Sequence, residues 1–380
     1  MFSAADTTFM AQAIRLAELG RYTTSPNPNV GAVLVHNGVV VGSGYHRQAG
    51  GPHAEVSALR EAGIAAKGAT CYVTLEPCSH YGRTPPCAEA LIAAGVARVV
   101  VAMQDPNPQV AGRGVAMLRS AGIQVDVGLL EAEARALNPG FLSRMERKRP
   151  YVQLKLAASL DGRTALANGD SKWLTADAAR SDVQHYRAQS CAILSTATTV
   201  LADNARLNLR PEQLQHSVTA LQSGELRQPK RVILDRNGTL DHKLALFNDG
   251  GEVLLCVSKV ENSRPLPNIA RQIHCPLDSK AQFDLVALLE HLALRENVNT
   301  LWVEAGATLA GTLLRLNLVD ELIVYLAPKL LGNTAQPLAV LPEFTALAQV
   351  PELRWTDMRM VGPDIRLTAT VNHTATGVTG

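Results

Sequence analysis

A chain of 380 residues with 47% apolar content can bury a core in each of two or three domains, which excludes a disordered or fibrous protein. Its 36 basic and 34 acidic residues leave a net charge of +2, so no global field would hold it on nucleic acid or an anionic membrane, and any anionic ligand has to be met locally. There is no apolar run long enough for a membrane span, the N-terminus lacks the pattern of a signal peptide, and six cysteines are too few for a disulfide scaffold, so the reading is a cytoplasmic protein.

Residues 9–19 repeat their apolar positions at helical spacing and stop at Gly20. Residues 31–36 and 39–45 are β-prone and flank Asn37-Gly38, the mark of a tight hairpin. Helix and strand then alternate: helices over 54–62, 88–94 and 115–121, and strands over 70–75, 98–103 and 123–127. This predicts a sheet covered on both faces. The charged segment 143–150, ending in Pro150, is the candidate linker, which gives domains 1–149 and 150–380. Beyond it, strands are expected over 151–157, 192–194, 231–234, 253–257, 300–303 and 322–326. Helices are expected over 176–188, 285–295 and 309–316, so the second unit also reads as α/β. Residues 203–228 read mostly as loop, and the tail after Val371 as frayed.

His53, Glu55, Cys78 and Cys87 carry the chemistry of the first unit. One imidazole and two thiolates make a three-ligand zinc set, which leaves the fourth position open for water. Glu55, two residues from the histidine, is then free to shuttle protons, as in hydrolytic deamination of an amino-heterocycle. Each residue alone could be an ordinary core or helix-start residue; the four in this order point to the metal site. The usual Pro-Cys-x-x-Cys spacing is lengthened here by an insertion between Cys78 and Cys87. His80 lies in that insertion and could meet substrate or solvent, and Cys71, Cys191, Cys256 and Cys275 read as core.

The local sequences go further. Residues 26–31, 51–55, 74–87 and 105–114 closely resemble the deaminase half of the bifunctional riboflavin-biosynthesis deaminase/reductases, and the long cysteine spacing is that family's form. Residues 155–164, 199–203, 303–311 and 327–332 resemble the reductase half. The resemblance implies a cytidine-deaminase-like three-layer domain followed by a dihydrofolate-reductase-like domain. It also implies two reactions. The first is zinc-dependent deamination of 2,5-diamino-6-(5-phosphoribosylamino)pyrimidin-4(3H)-one; the second is NADPH-dependent reduction of the ribosyl group to ribityl.

On the same resemblance the cofactor is met by Ala157, Trp173, Thr199, Asp203 and the stretch Gly306, Ala307, Thr308, Leu309, Ala310, Gly311 and Thr312. Small residues between a strand and a helix suit a phosphate at a helix N-terminus. Substrate contacts carry over to Ser171, Arg187, Leu207, Arg210 and Glu304, the arginines being suited to bidentate phosphate binding. Arg236 stands where the family carries a serine-like cofactor contact and could favour a 2′-phosphate. Other readings are a zinc deaminase acting on a different nucleoside or on nucleic acid, and a structural zinc module. An aromatic content of 4% argues against a nucleic-acid groove, and a closed four-ligand site would leave Glu55 idle. A homodimer is the default assembly.

Overall fold

The computed structural model describes residues 2–81, 85–108, 110–214, 226–248, 250–260 and 265–372. The chain divides into two compact units, the first Met1–Arg149 and the second opening at Pro150.

The first unit holds strands β1 (Gly31–His36), β2 (Val39–Tyr45), β3 (Thr70–Val73), β4 (Arg98–Val101) and β5 (Gln124–Val127) in the order β2-β1-β3-β4-β5. Asn37 and Gly38 both take positive φ, and this lets β1 and β2 close as an antiparallel hairpin. The remaining strands, β3 to β5, run parallel. Side chains alternate between the two faces. Ala32, Leu34, Cys71, Val73, Val99 and Val101 pack under Ala54, Ala58, Leu91 and Leu118, whereas Val33, Tyr72 and Val100 pack with Met10, Ala13, Phe141 and Leu142. The result is three layers, helices on both faces of one sheet.

Two differences from the sequence reading concern helices. The first, Ala4–Glu18, starts earlier than the apolar periodicity, because Ser3 and Asp6 form a reciprocal capping box. The segment expected as a linker is largely helical: Pro139–Arg147 is a helix whose Phe141, Leu142 and Ser143 are buried. Glu146, Arg147 and Lys148 at its C-terminal end are exposed, which masks the buried face in the sequence.

The second unit adds β6 (Tyr151–Ser159), β7 (Arg163–Ala165), β8 (Ala192–Thr196), β9 (Lys230–Leu234), β10 (Val253–Val257) and β11 (Ala270–His274). It continues with β12 (Thr300–Glu304), β13 (Glu321–Ala327), β14 (Gln336–Pro337), β15 (Glu352–Val361) and β16 (Asp364–Asn372). Its main sheet has the order β11-β10-β9-β8-β12-β6-β13-β16-β15, with parallel pairings from β11 to β13 and antiparallel pairings of β16 with both β13 and β15. β7 and β14 pair separately. Leu154, Leu194, Val232, Leu254 and Val303 face one core, and Ile193, Ile233, Leu255, Trp302 and Ile323 the other. The chain turns back on itself by inserting β12 between β8 and β6. In open parallel sheets, crevices for ligands form beyond the carboxyl ends of the strands at such a point. The tail read as frayed falls on residues 373–380, outside the described residues.

Candidate functional sites in the two units

In the first unit, His53 caps the helix Ala54–Ala62 at its N-terminus, and Glu55 lies in that helix's first turn. The helix can lie flat on the hairpin because Gly42 and Gly44 carry no side chains there. A Cβ at Gly42 would stand 2.3 Å from the Ala58 carbonyl oxygen, and one at Gly44 2.6 Å from that of Ala54. Cys78 follows β3, and Cys87 opens the helix Cys87–Ala93. The Cys78 loop is fixed from below. Buried Glu76 accepts hydrogen bonds from the backbone N–H groups of Asp105, Gly112 and Val115 at 3.2, 2.9 and 3.1 Å. Gly114 lies so close to Pro77 that a Cβ would meet its carbonyl oxygen at 1.9 Å.

The outcome is convergence. The ligand atoms of His53, Cys78 and Cys87 all lie within 4.8 Å of one another. His53 Nδ1 is 3.2 Å from Cys87 Sγ and 3.7 Å from Cys78 Sγ. A tetrahedral zinc with Zn–N of about 2.0 Å and Zn–S of about 2.3 Å separates its nitrogen and sulfur ligands by about 3.6 Å, so the three residues fit that ion.

The electrostatics agree. The Cys78 thiol is pulled well below its usual range, first by its hydrogen bond with Cys87 and then by His53, while Cys87 is pushed up by the same sharing and by burial. His53 is raised, chiefly by its hydrogen bond with Cys78. Glu55 is 3% exposed, and burial raises its pKa.

His53, Glu55 and Cys78 line a cavity of about 690 Å³ that also takes in His80, Asn27, His46, Asp105 and Arg144. The inserted loop therefore does bring His80 to the cavity. The sequence reading assigned no role to His46 or Asp105. His46 is held neutral by burial, with Nδ1 3.0 Å from the Pro52 carbonyl oxygen and Nε2 3.1 Å from Asn27 Nδ2; it meets the His53 ring edge-on at 5.4 Å. Burial pushes Asp105 up to about 6. Position at the end of β2 and beyond β4 was the available signal for both. Cys71, Cys191, Cys256 and Cys275 are buried free thiols, three of them within the apolar core clusters of the second unit and Cys71 within one of the first.

The second unit has a cavity of about 700 Å³ at the carboxyl ends of β6 and β12. Ala157, Ser171, Trp173, Arg187, Thr199, Asp203, Leu207, Arg210, Glu304, Gly306 and Ala307 all line it. A third cavity, of about 580 Å³, shares Thr198, Thr199 and Gly306 with it and is further lined by Thr308, Leu309, Thr312 and Arg236. Ala310 and Gly311 line neither cavity. Both are buried on the sheet side of the helix Ala307–Arg315, and a Cβ at Gly311 would strike the Val340 carbonyl oxygen at 1.9 Å, so packing accounts for that glycine. Gly306 is the opposite case. A Cβ there meets nothing within 4 Å, so its absence widens the cavity mouth at the uncapped start of that helix.

Arg187 and Glu304 pair with each other. Arg187 Nε and Nη2 donate to the two Glu304 oxygens at 2.6 and 2.9 Å, and Nη1 donates to the Asn208 carbonyl oxygen at 2.7 Å. The fork that the sequence reading offered to a phosphate is thus closed on a carboxylate. Burial opposes ionisation of Glu304, but Arg187, Lys155 and the Trp302 Nε1 donor at 2.8 Å outweigh it and hold the pKa at about 2. Lys155, which the sequence reading left without a role, lines the same cavity, and burial lowers its pKa. Trp173 is 67% exposed and lies under the Arg180 guanidinium at 4.3 Å, and Lys329 Nζ holds its carbonyl at 2.9 Å.

Comparison with known proteins accounts for both units. The family model of the RibD C-terminal domain matches residues 150–367, and that of the cytidine and deoxycytidylate deaminase zinc-binding region matches residues 3–103. The riboflavin biosynthesis protein RibD of Escherichia coli is 54% identical over 363 residues, covering 95% of this chain and 98% of the relative. The solved structure of Acinetobacter baumannii RibD is 44% identical with a TM-score of 0.88, over 97% of this chain and 99% of that one. A Thermotoga maritima diaminohydroxyphosphoribosylaminopyrimidine deaminase/5-amino-6-(5-phosphoribosylamino)uracil reductase is 32% identical with a TM-score of 0.82, over 97% of this chain and 99% of that one.

Proposed function

Because the chain belongs to the RibD family of bifunctional riboflavin-biosynthesis deaminase/reductases, we propose the substrates, cofactor and residues through which its two units work. The first, residues 1–149, hydrolyses the C2 amine of 2,5-diamino-6-(5-phosphoribosylamino)pyrimidin-4(3H)-one. The second, residues 150–380, uses NADPH to reduce the ribosyl group of the resulting uracil to ribityl, giving 5-amino-6-(5-phosphoribitylamino)uracil. The observation that carries the reading is the convergence of His53, Cys78 and Cys87 with buried Glu55 beside them.

His53, Cys78 and Cys87 hold zinc in this reading. When bound, zinc supplies the positive charge that lowers the pKa of a water molecule to about 7. Glu55 would take the proton that water loses as its oxygen bonds to C2 and give it to the ring nitrogen whose double bond to C2 opens; it would then carry the remaining hydroxyl proton to the amine as the C2–N bond breaks, the carbonyl forms and ammonia leaves. Burial raises the pKa of that carboxyl, which favours its holding the proton between the two transfers. His46, already hydrogen-bonded at both ring nitrogens, orders the wall with Asn27.

In the second unit a nicotinamide cofactor, when bound, supplies the hydride that reaches C1′. The chain's task is to hold both partners. Ala157, Trp173, Thr199, Asp203 and residues 306–309 with Thr312 border the cofactor's path through the two joined cavities. Ser171, Leu207, Arg210 and the Arg187–Glu304 pair face the substrate, and Lys155 is the ammonium placed to give a proton to the ribose ring oxygen as its bond to C1′ opens.

Preference for NADPH is supported at the far cavity. Both oxygens of Asp235, at the strand end where an acid would accept from a ribose 2′-hydroxyl, are used by Thr239 and Leu240, and Arg236 beside it lines the cavity. The homodimer reading draws on the edge strand β15, which exposes Trp355, Met358 and Met360. Free thiols at all six cysteines fit a cytoplasmic site of action. The test is a coupled assay: ammonia release from the diaminopyrimidinone, followed by NADPH oxidation that depends on it. Absence of ammonia from zinc-loaded protein would refute the substrate assignment.

A further inference from the structure

Two residues donate to the Glu304 carboxylate, and they differ in kind: Arg187 lines the cavity of the second unit with it, and Trp302 does not. We propose that Trp302 is a positioning residue of the reduction, its indole N–H fixing the orientation in which the Glu304 carboxylate meets the substrate. The proposal rests on the functional reading above, in which Glu304 faces the substrate of the second unit.

Strand geometry sets the relation. Trp302 and Glu304 stand two residues apart on β12, so both side chains leave the same face of the sheet. The helix Asp177–Gln189 supplies a neighbour to each. Tyr186 stacks on the Trp302 indole with ring centroids 4.7 Å apart and planes 16° apart, and Arg187, the next residue, forks onto Glu304. Trp302 is 0% exposed and lines neither of the two cavities of this unit, so it touches neither substrate nor cofactor. What it reaches is Glu304: Nε1 donates to Oε1 at 2.8 Å, the oxygen that also accepts from Arg187 Nε at 2.6 Å.

The terminal torsion of a glutamate is broad, so a carboxylate keeps one orientation only where its neighbours impose it. Adjacent strands settle the rest of the residue. Buried Ser195 on β8 donates its hydroxyl to the Glu304 carbonyl oxygen at 2.6 Å, and Lys155 lies opposite on β6. Trp302 settles the plane of the carboxylate. An ionised carboxylate offers about four acceptor sites. Among the described residues, Arg187 and Trp302 fill two on Oε1 and one on Oε2, so the site left for a substrate donor is on Oε2. Without the indole donor the two oxygens become equivalent toward the Arg187 fork, and the site offered to the substrate is no longer unique. Stacking on Tyr186 keeps the indole itself from turning, which makes the N–H a fixed reference rather than one more mobile donor.

The experiment is a double-mutant cycle on the reductase step alone, with 5-amino-6-(5-phosphoribosylamino)uracil as substrate and NADPH oxidation as the signal. Wild type, Trp302→Phe, Glu304→Ala and the double variant are compared. Phenylalanine keeps a ring on Tyr186 and removes only the donor, and Oε1 retains Arg187 Nε, so no buried carboxylate is left unpaired. Trp302→Phe should lower kcat/KM for the uracil about tenfold, leave KM for NADPH within about twofold, and cost less than about twofold once Glu304 is already alanine. The same loss in both backgrounds would make Trp302 ordinary packing, and no loss beside intact Glu304 would make its N–H irrelevant to the substrate; either overturns the proposal. If a variant fails to fold, the wild-type enzyme decides. Its Trp302 indole N–H resonance, assigned with Trp173→Phe and Trp355→Phe, should shift when the uracil is added to enzyme loaded with NADP⁺, and an unmoved resonance overturns the proposal. A wild-type enzyme that oxidises NADPH with this substrate but fails these tests loses the proposal alone. One that oxidises none loses the functional reading of the second unit and the proposal with it.

Discussion

Replacing Glu304 by Gln keeps the shape of the side chain but removes the charge that Arg187 and Lys155 share. Its carboxyl is held at about 2 against an ordinary 4.5, and its side chain is only 15% exposed. A depressed acid pKa stabilises the fold above the unfolded value and loses that contribution as pH falls through the folded value. The difference is about 3 kcal/mol at pH 7, about 1.4 kcal/mol at pH 3 and under about 0.5 kcal/mol at pH 2. All three tryptophans, Trp173, Trp302 and Trp355, belong to the second unit, so their fluorescence during urea unfolding reads that unit separately from the first. Glu304→Gln should therefore cost about 3 kcal/mol at pH 7 and progressively less down to pH 2. If the variant is as stable as wild type at pH 7, or loses the same amount at pH 7 and pH 3, the ion pair is not what holds this part of the cavity together.

Three further outcomes are expected. Glu55→Gln should lower ammonia release at least about 100-fold while the protein keeps its zinc, read by metal analysis of the purified variant, because in the proposed mechanism the glutamate moves protons and does not bind the ion. Arg236→Ser should weaken NADPH binding about tenfold or more and leave NADH binding nearly unaltered, measured by calorimetric titration; equal weakening of both would show that Arg236 does not read the 2′-phosphate. Gly114→Ala should lower both the melting temperature of the first unit and its zinc content, since the new methyl group collides with the Pro77 carbonyl and pushes the Cys78 loop away from Cys87.

Legibility in the sequence followed how local the determining contacts are. The hairpin at Asn37-Gly38 and the strand 253–257 coincide with the observed elements, because a turn dipeptide and an unbroken apolar run are written in neighbouring residues. The four-residue metal constellation was visible for the same reason: histidine and glutamate share one helix start, and each cysteine flanks a strand or helix end. The hairpin β15–β16 was not foreseen. Its outer strand is exposed along almost its whole length and mixes Arg, Asp, Met and Trp, so it lacks the alternation that a half-buried strand shows.

Other parts of the sites are set by contacts that sequence spacing does not encode. The Arg187–Glu304 pair joins positions 117 residues apart. An arginine on a helix reads as a phosphate ligand until the carboxylate that already occupies its fork is seen. The same limit applies to the helix Pro139–Arg147, whose charge made it look like a linker. Its docking depends on Asn138 reaching Asn29, 109 residues away. What the charge pattern concealed was a cavity wall: the residues that look most like solvated linker include Arg144, which lines the cavity of the first unit. Residue type announced the three candidate zinc ligands, whereas only the folded contacts show that the Arg187 fork is already closed on a carboxylate.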